Sequence, residues 1–187
     1  IRNKNKVAAM DAFKEAAMAN FDEKIREDAY FNYAKLTFDL NKDPEAFKDY
    51  MSSFTIKDKE DKIYSYMAIS ALYNKDYTEA ISFYDKIEVL DKKMRANYVR
   101  ANYLRATQLF DNESYKDAIP CLRTAAFYSD KKETINHLSR YYLAEAYYRT
   151  ENFKDARELF TALYNITALD KHSEGNLLPF NIAYTFL

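Results

Sequence analysis

The sequence predicts an all-α fold, a solenoid of stacked helical hairpins, on the strength of three observations. The chain of 187 residues contains one glycine and three prolines, which leaves few of the residues that turn-rich β folds need. Apolar residues recur at steps of three and four, the spacing that places them on one face of a helix. One pattern of residues then returns at intervals of 34 to 38 positions, which is typical of a repeat architecture.

The repeat is defined by an alanine in the second helix of each predicted hairpin. These anchor alanines are Ala9, Ala46, Ala80, Ala118 and Ala156. A large residue follows each anchor by four positions, at Phe13, Tyr50, Tyr84, Leu122 and Phe160, and a small residue precedes four of them by twelve, at Ala34, Ala68, Ala106 and Ala144. Small residues let two helices approach closely, and large ones fill the space between neighbouring hairpins. Because one hairpin cannot bury such a face alone, the hairpins are expected to stack.

The frame divides the whole chain into predicted repeats. They span about 27–58, 61–94, 99–132 and 137–171, with a partial repeat at 1–22 and the start of a further one at 176–187. The polar tetrads YNKD, DNES and RTEN separate paired helices, and each ends in a predicted capping residue, at Asp76, Ser114 and Asn152. Because the chain starts without methionine and stops within an apolar run, we expect it to be a fragment of a longer protein.

This frame resembles the tetratricopeptide repeat. The best-matching stretches are LAEAYYRTENFKDARELF and MAISALYNKDYTEAISFY, and the resemblance extends over residues 6–187. It implies a right-handed α-α superhelix that acts by binding other proteins. The phrase EDAYFNYAKLTFDL also resembles segments of long, tyrosine-rich repeat proteins of the Gram-negative envelope, which implies a bacterial, periplasmic or outer-membrane-associated parent rather than a cytoplasmic one.

Two residues depart from the repeat pattern. Arg105 stands where a leucine is expected, and we expect its stem to pack while its guanidinium reaches a carboxylate such as Asp111 or Glu113. Pro120 falls in the second turn of its predicted helix, where it should remove one backbone hydrogen bond and bend the helix.

Composition and motifs argue against catalysis, a cofactor or nucleic acid as a ligand. Lys and Arg total 28 against 29 for Asp and Glu, so no basic excess exists to neutralise a phosphate backbone. His137 and His172 have no cysteine partner at metal-ligand spacing, and Cys121 is expected to be a buried, inert thiol. The single glycine, Gly175, excludes a glycine-rich phosphate loop. No apolar run approaches the roughly 20 residues that span a bilayer, so no membrane insertion is expected.

The residues expected to bind a partner lie on the first helix of each hairpin, which lines the concave face of a solenoid. A stripe displaced by one residue, hence about 100° around the helix, from the packing stripe is rich in aromatic residues. Tyrosine offers a large contact area with few rotatable bonds, which suits an interface. The predicted partner-binding residues are Phe31, Lys35, Phe38, Tyr73, Tyr103, Thr107, Phe110, Tyr141, Glu145, Tyr148, Arg149 and Tyr184.

This stripe favours a non-catalytic scaffold that binds a peptide or protein segment. Two alternatives stay open: binding of a glycan or other small ligand on the tyrosine-rich face, and a purely structural spacer within a larger envelope protein. Part of the stripe, particularly Phe31, Phe38 and Phe110, would instead be buried if neighbouring first helices touch there. Self-association through exposed repeat ends is a further possibility. The paired lysines and asparagines that clamp an acidic C-terminus in some tetratricopeptide domains are absent from the stripe.

Overall fold

The computed structural model describes residues 2–19, 22–41, 45–53, 60–164, 166, 169 and 172–187, and the regular structure within them is entirely α-helical. The helices are α1 (Arg2–Met18), α2 (Glu23–Asn41), α3 (Glu45–Ser53), α4 (Glu60–Tyr73), α5 (Tyr77–Tyr84), α6 (Lys92–Asp111), α7 (Tyr115–Tyr128), α8 (Thr134–Arg149), α9 (Phe153–Leu163) and α10 (Ser173–Tyr184). The all-α fold class that the sequence predicts is confirmed. Within the described ranges, none of these helices has the length and apolar character needed to cross a membrane.

The chain forms two compact units, Ile1–Val89 and Leu90–Leu187, here called unit 1 and unit 2. In unit 1, α1 packs against α2, α2 against α3, and α4 against α5. In unit 2, each helix from α6 to α10 packs against the next one along the chain. Packing between helices that are consecutive in the chain is therefore common to both units.

The repeat frame found in the sequence coincides with the packing of the helices. The side chains of Ala34, Ala68, Ala80, Ala106, Ala118, Ala144 and Ala156 are completely buried, as are Tyr50, Tyr84, Leu122 and Phe160 to within 1%. A small residue is required where two helix axes come closest, and a large one fills the gap beside it at the density of a protein interior. In α1, Ala9 and Phe13 are only partly buried.

Three turns between paired helices share one backbone conformation. Lys75, Glu113 and Glu151 follow one another at intervals of 38 residues, and each has a positive φ, of 62°, 56° and 63°. In each turn the next amide donates to a carbonyl five residues earlier: Asp76 to Ala71, Ser114 to Leu109, and Asn152 to Tyr147, at 2.8–2.9 Å. This is the Schellman arrangement, which satisfies carbonyls that the helix end would leave unpaired.

A side-chain capping hydrogen bond forms at one of the three predicted N-cap residues. The Asp76 carboxylate accepts a hydrogen bond from the Glu79 amide at 2.9 Å. Ser114 and Asn152 occupy N-cap positions without a side-chain cap bond. The side-chain amide of Asn152 instead donates to the Asp155 carboxylate at 2.8 Å. All three residues therefore occupy the predicted N-cap positions, but only Asp76 makes the capping hydrogen bond with its side chain.

We expect Glu151→Gly to stabilise unit 2 by about 0.5–1 kcal/mol, because a side chain is strained in the left-handed region and glycine is not. Urea unfolding followed by far-UV circular dichroism measures the change. The matched control is Glu158→Gly at an exposed position inside α9, which should destabilise by about 1 kcal/mol. A loss of stability in Glu151→Gly would show that the Glu151 side chain has a stabilising role.

The two residues that depart from the repeat pattern are both accommodated within helices. Pro120 is exposed, and α7 continues on either side of it. The Arg105 guanidinium donates to the side-chain carbonyl of Gln108 at 3.2 Å. The prediction that Arg105 pairs with a carboxylate, of Asp111 or Glu113, was wrong. The side chain of Gln108, one turn along α6, is within reach of the guanidinium and accepts its hydrogen bond.

Candidate partner-binding grooves

Two grooves in unit 2 occupy equivalent positions of successive hairpins. The α6–α8 groove has a volume of about 120 Å³ and is lined by Tyr103, Ala106, Thr107, Phe110, Asp111, Leu122 and Tyr142. The α8–α10 groove has a volume of about 350 Å³ and is lined by Glu145, Tyr148, Arg149, Phe160, Asn181 and Tyr184. Thr107, Phe110 and Leu122 of the first groove precede Glu145, Tyr148 and Phe160 of the second by 38 residues each. The repeat has therefore produced the same kind of groove twice.

Each groove is built in the same way from three helices. One wall consists of side chains on one face of the first helix of a hairpin. These residues are three and four positions apart, as Tyr103, Thr107 and Phe110 are on α6. The second helix contributes a single buried residue, Leu122 or Phe160. The next first helix supplies the opposite wall. Seven of the twelve residues predicted to bind a partner lie in these two grooves: Tyr103, Thr107, Phe110, Glu145, Tyr148, Arg149 and Tyr184.

Aromatic rings along the α6–α8 groove hold one another edge to face. The Phe110 ring lies 5.1 Å from the Tyr115 ring and 5.5 Å from the Tyr142 ring, centroid to centroid. The Tyr103 ring lies 6.3 Å from the Tyr142 ring on the same side. Edge-to-face geometry matches the positive ring edge to the negative ring face. These contacts fix the orientation of the rings before any ligand arrives.

Arg149 lines the α8–α10 groove, and a neighbouring carboxylate balances its charge. Its Nε donates to a Glu145 carboxylate oxygen at 2.8 Å, and its guanidinium lies over the Tyr115 ring at 5.5 Å from the centroid. The hydrogen bond to Glu145 raises the pKa of Arg149 further above its usual range. Because the cation and the carboxylate cancel, the α8–α10 groove presents no net charge to a ligand.

Two hydrogen bonds hold α10 against α8 and so shape the wider groove. The Asn181 amide donates to the Tyr141 hydroxyl at 2.9 Å, and the Tyr142 hydroxyl donates to the Glu174 carboxylate at 2.7 Å. Burial and then the bond to Glu174 raise the pKa of Tyr142. Burial alone would raise the pKa of Glu174, but the hydrogen bonds from Tyr142, its own backbone amide and Ser173 bring that pKa below the ordinary 4.5. The folded chain therefore favours an ionised Glu174.

We expect Tyr142→Phe to lower the free energy of unfolding by about 1 kcal/mol at pH 7, the order of one partly exposed, charge-assisted hydrogen bond. Because the folded pKa of Glu174 lies below the unfolded value, its contribution is present above about pH 4.5 and is lost as the pH falls through the folded pKa. The difference between the variant and the wild type should therefore shrink in acid. Urea unfolding between pH 3 and pH 7 tests this, with Tyr164→Phe at an exposed site as the control. A difference that does not change with pH would contradict it.

No family model matches the chain, and no curated protein matches it either. Solved structures that are similar to it include the following two. "MamA 41-end from Desulfovibrio magneticus RS-1" is 17% identical, with a TM-score of 0.42, over 86% of this chain and 93% of that one. "MamA RS-1 ArsTM double mutant" is also 17% identical, with a TM-score of 0.44, over 86% of this chain and 94% of that one.

The other five predicted binding residues lie outside the two grooves. Phe38 is 3% exposed and packs against the rings of Phe47 and Tyr66, and Tyr141 is 5% exposed and packs against Phe160. The prediction of an accessible concave position is wrong for both, while the alternative that Phe38 is buried agrees with these contacts. Their part of the stripe turns toward a neighbouring helix, and their rings fill the space between the two.

The remaining three of those five belong, like Phe38, to unit 1 and are less deeply buried. Phe31 is partly buried against Phe47 and Tyr50, with ring centroids 6.0 and 5.8 Å away. Lys35 and Tyr73 are exposed. For Phe31 the expectation of burial within the stripe agrees with these contacts. Binding by the three residues stays a prediction.

The histidine and cysteine side chains form no evident reactive centre. His137 is buried near the start of α8, where burial and then the nearby charge of Arg140 lower its pKa. Cys121 is partly buried. In the ranges that the structure describes, no cluster of three or more His, Cys, Asp or Glu side chains is placed to hold a metal ion.

Sequence reasoning missed a third groove in unit 2, here called the basic groove. It has a volume of about 940 Å³, and its lining includes Lys92, Arg95 and Arg100 of α6 together with Phe127 at the end of α7. The signal in the sequence was the cationic start of α6, which has no acidic residue in its first turn. Tyr103 lines both this groove and the α6–α8 groove, so the two adjoin.

Proposed function

We propose that the chain is a non-catalytic interaction scaffold, and that its unit 2 binds an extended segment of a partner protein across the α6–α8 and α8–α10 grooves. The observation that supports this most strongly is the recurrence of one groove at equivalent positions 38 residues apart. A ligand that uses both grooves has to be long and repetitive in its contacts, and an extended peptide has both properties.

The size of the α6–α8 groove favours a side chain over a compact small molecule. A volume of about 120 Å³ is well below the roughly 300–1,000 Å³ of pockets that enclose small ligands. It suits one inserted side chain. The wider groove of about 350 Å³ lies at the lower end of that range and has room for a small ligand or for a large side chain together with its backbone.

The grooves are already shaped for binding in the free chain. Phe160 and Leu122 are immobilised in the core, and the rings around Tyr142 are held by one another. The Glu145–Arg149 ion pair joins the two charged groups of the wider groove. Binding therefore costs little ordering of the receptor, which leaves more of the contact energy as affinity.

A glycan is the second candidate ligand, and the make-up of the α8–α10 groove favours it. Tyr148 and Tyr184 offer ring faces, while Asn181 and the Glu145–Arg149 pair offer hydrogen-bonding groups. Ring faces and a few placed polar groups are what a sugar needs. The α6–α8 groove contains fewer polar groups, so the glycan interpretation does not account for both grooves.

A peptide-display selection on the purified chain tests the proposal. We expect enriched peptides to lose affinity at least tenfold for Tyr148→Ala/Tyr184→Ala, since buried tyrosines at interfaces often contribute more than 1.4 kcal/mol each. Tyr141 is not substituted because it belongs to the core. The control is Tyr164→Ala, an exposed tyrosine outside the grooves, and circular dichroism checks that each variant folds. Equal binding by the groove variant, or binding of glycans and no peptide in a parallel glycan screen, would overturn the proposal.

A further inference from the structure

The basic groove runs beside the first two-thirds of α6, from Lys92 to Leu104. The end of α7, the following loop and the start of α8 form its other side, with Phe127, Asp130 and Glu133 among the lining residues. At Tyr103 it meets the α6–α8 groove. A chain segment lying in the α6–α8 groove can therefore continue into the basic groove.

Three cations on the α6 side of this groove have no partner among the described residues. Lys92, Arg95 and Arg100 are exposed, and the ion pairs within the described ranges involve other residues. Lys92 and Arg95 also lie in the first turn of α6, where the helix dipole disfavours positive charge. The stability of α6 therefore does not explain these cations, and they are available to a ligand.

An exposed aromatic side chain stands in the same groove. Phe127 is 80% exposed, and its ring lies edge-on to Tyr128 with centroids 5.0 Å apart. Tyr128 in turn contacts the buried Tyr98 at 5.3 Å. A large apolar ring that is supported from below and open above is typical of an anchor point in a protein interface.

We propose that the basic groove binds an acidic segment of a protein partner that also presents aromatic or aliphatic side chains. Its carboxylates pair with Lys92, Arg95 and Arg100, and its apolar side chains cover Phe127. This inference rests on the proposed function, and it adds the chemistry of the partner. At 1.5 Å per residue, the rise from Lys92 to Arg100 is about 12 Å. That distance matches carboxylates three to four residues apart in an extended chain.

The two carboxylates on the opposite side set the orientation of this partner. Asp130 and Glu133 repel acidic side chains, so the carboxylates of the segment face α6 and not the α7–α8 loop. The lining as a whole carries three cations and two carboxylates. Attraction therefore depends on the separation of the charges across the groove, and we expect it to weaken with added salt.

Fluorescence anisotropy with the whole chain and defined probes tests the inference. The probes are a labelled peptide of three Glu-Phe-Glu-Pro units, its counterpart with Gln in place of Glu, and an oligothymidine of equal charge. We expect the Glu peptide to bind at least tenfold more tightly than the Gln peptide at low ionic strength. Arg95→Glu/Arg100→Glu should abolish that advantage. Lys116→Glu/Lys154→Glu, with the same charge change at exposed sites on α7 and α9, should keep it.

Three results would overturn the inference: equal affinity for the Glu and Gln peptides, an advantage that survives Arg95→Glu/Arg100→Glu, or tighter binding of the oligothymidine. If the Glu peptide does not bind while displayed peptides still depend on Tyr148 and Tyr184, the acidic partner is excluded and the proposed function stands. If no peptide binds in either experiment, both proposals fail.

Discussion

Replacing Phe160 with alanine is expected to lower the free energy of unfolding of unit 2 by about 3–5 kcal/mol. Phe160 lies on α9 with no exposed surface, and its ring packs edge to face against Tyr141 with centroids 5.6 Å apart. Alanine leaves a cavity that the close-packed helices cannot fill. The folded state therefore loses both the transfer free energy of the removed ring and the van der Waals contacts that the ring made. Urea unfolding monitored by far-UV circular dichroism measures the loss.

The control for this substitution is Phe153→Ala on the same helix. Phe153 is 42% exposed, and its replacement should lower the free energy of unfolding by about 1 kcal/mol or less, because the exposed ring buries less apolar surface on folding than the ring of Phe160 does. Phe160 also lines the α8–α10 groove, so the stable fraction of Phe160→Ala should bind displayed peptides more weakly. Similar costs for the two substitutions would contradict the burial on which this prediction depends.

Replacing Pro120 with alanine is expected to raise the free energy of unfolding by about 2 kcal/mol. Pro120 lies inside α7, where it has no amide hydrogen to donate to the carbonyl of Lys116 four residues earlier. Alanine restores that hydrogen bond and has the higher helix propensity, and together these effects stabilise the helix by about 3 kcal/mol. The unfolded chain gains conformational freedom when proline is removed, which reduces the stabilisation by up to about 1 kcal/mol. The exposed proline ring leaves no cavity behind.

Urea unfolding of Pro120→Ala and of Lys116→Ala separates this effect from a general benefit of alanine. Lys116 is an exposed residue of the same helix, and its substitution should change stability by about 0.5 kcal/mol or less. If Pro120→Ala is no more stable than the wild type, the proline must contribute packing or an entry geometry that α7 requires.

The helical hairpins could be predicted because their constraints are local and periodic. Ala106 and Ala144 must be small wherever two helices touch, and Leu122 and Phe160 must fill the space beside them. Such requirements recur at a fixed spacing, so the sequence displays them directly. The turns were located correctly, yet two of the three expected side-chain cap bonds are absent, because the Ser114 hydroxyl bonds to the Asn112 carbonyl and the Asn152 side-chain amide bonds to Asp155 instead.

The site was predictable only in part, because burial of a stripe depends on what the neighbouring hairpin supplies. Tyr141 and Tyr148 belong to the same predicted stripe, but Asn181 of α10 engages the Tyr141 hydroxyl and the ring is enclosed. The basic groove has no periodic signature at all. Its cations on α6 and the Phe127 ring on α7 are separated by more than twenty residues, and only the folded hairpin brings them to one groove.

The shared position of Tyr103 has a consequence for cooperativity. Its ring lines both the basic groove and the α6–α8 groove, so under the two proposals a partner residue that displaced the ring from its contact with Tyr142 in one groove would change the shape of the other. Thermodynamic linkage then requires reciprocity: occupancy of the basic groove alters affinity in the α6–α8 groove by the same factor that occupancy of the α6–α8 groove alters affinity in the basic groove. If both proposals hold, Tyr103 would couple the binding of the acidic part of a partner segment to the binding of its aromatic part.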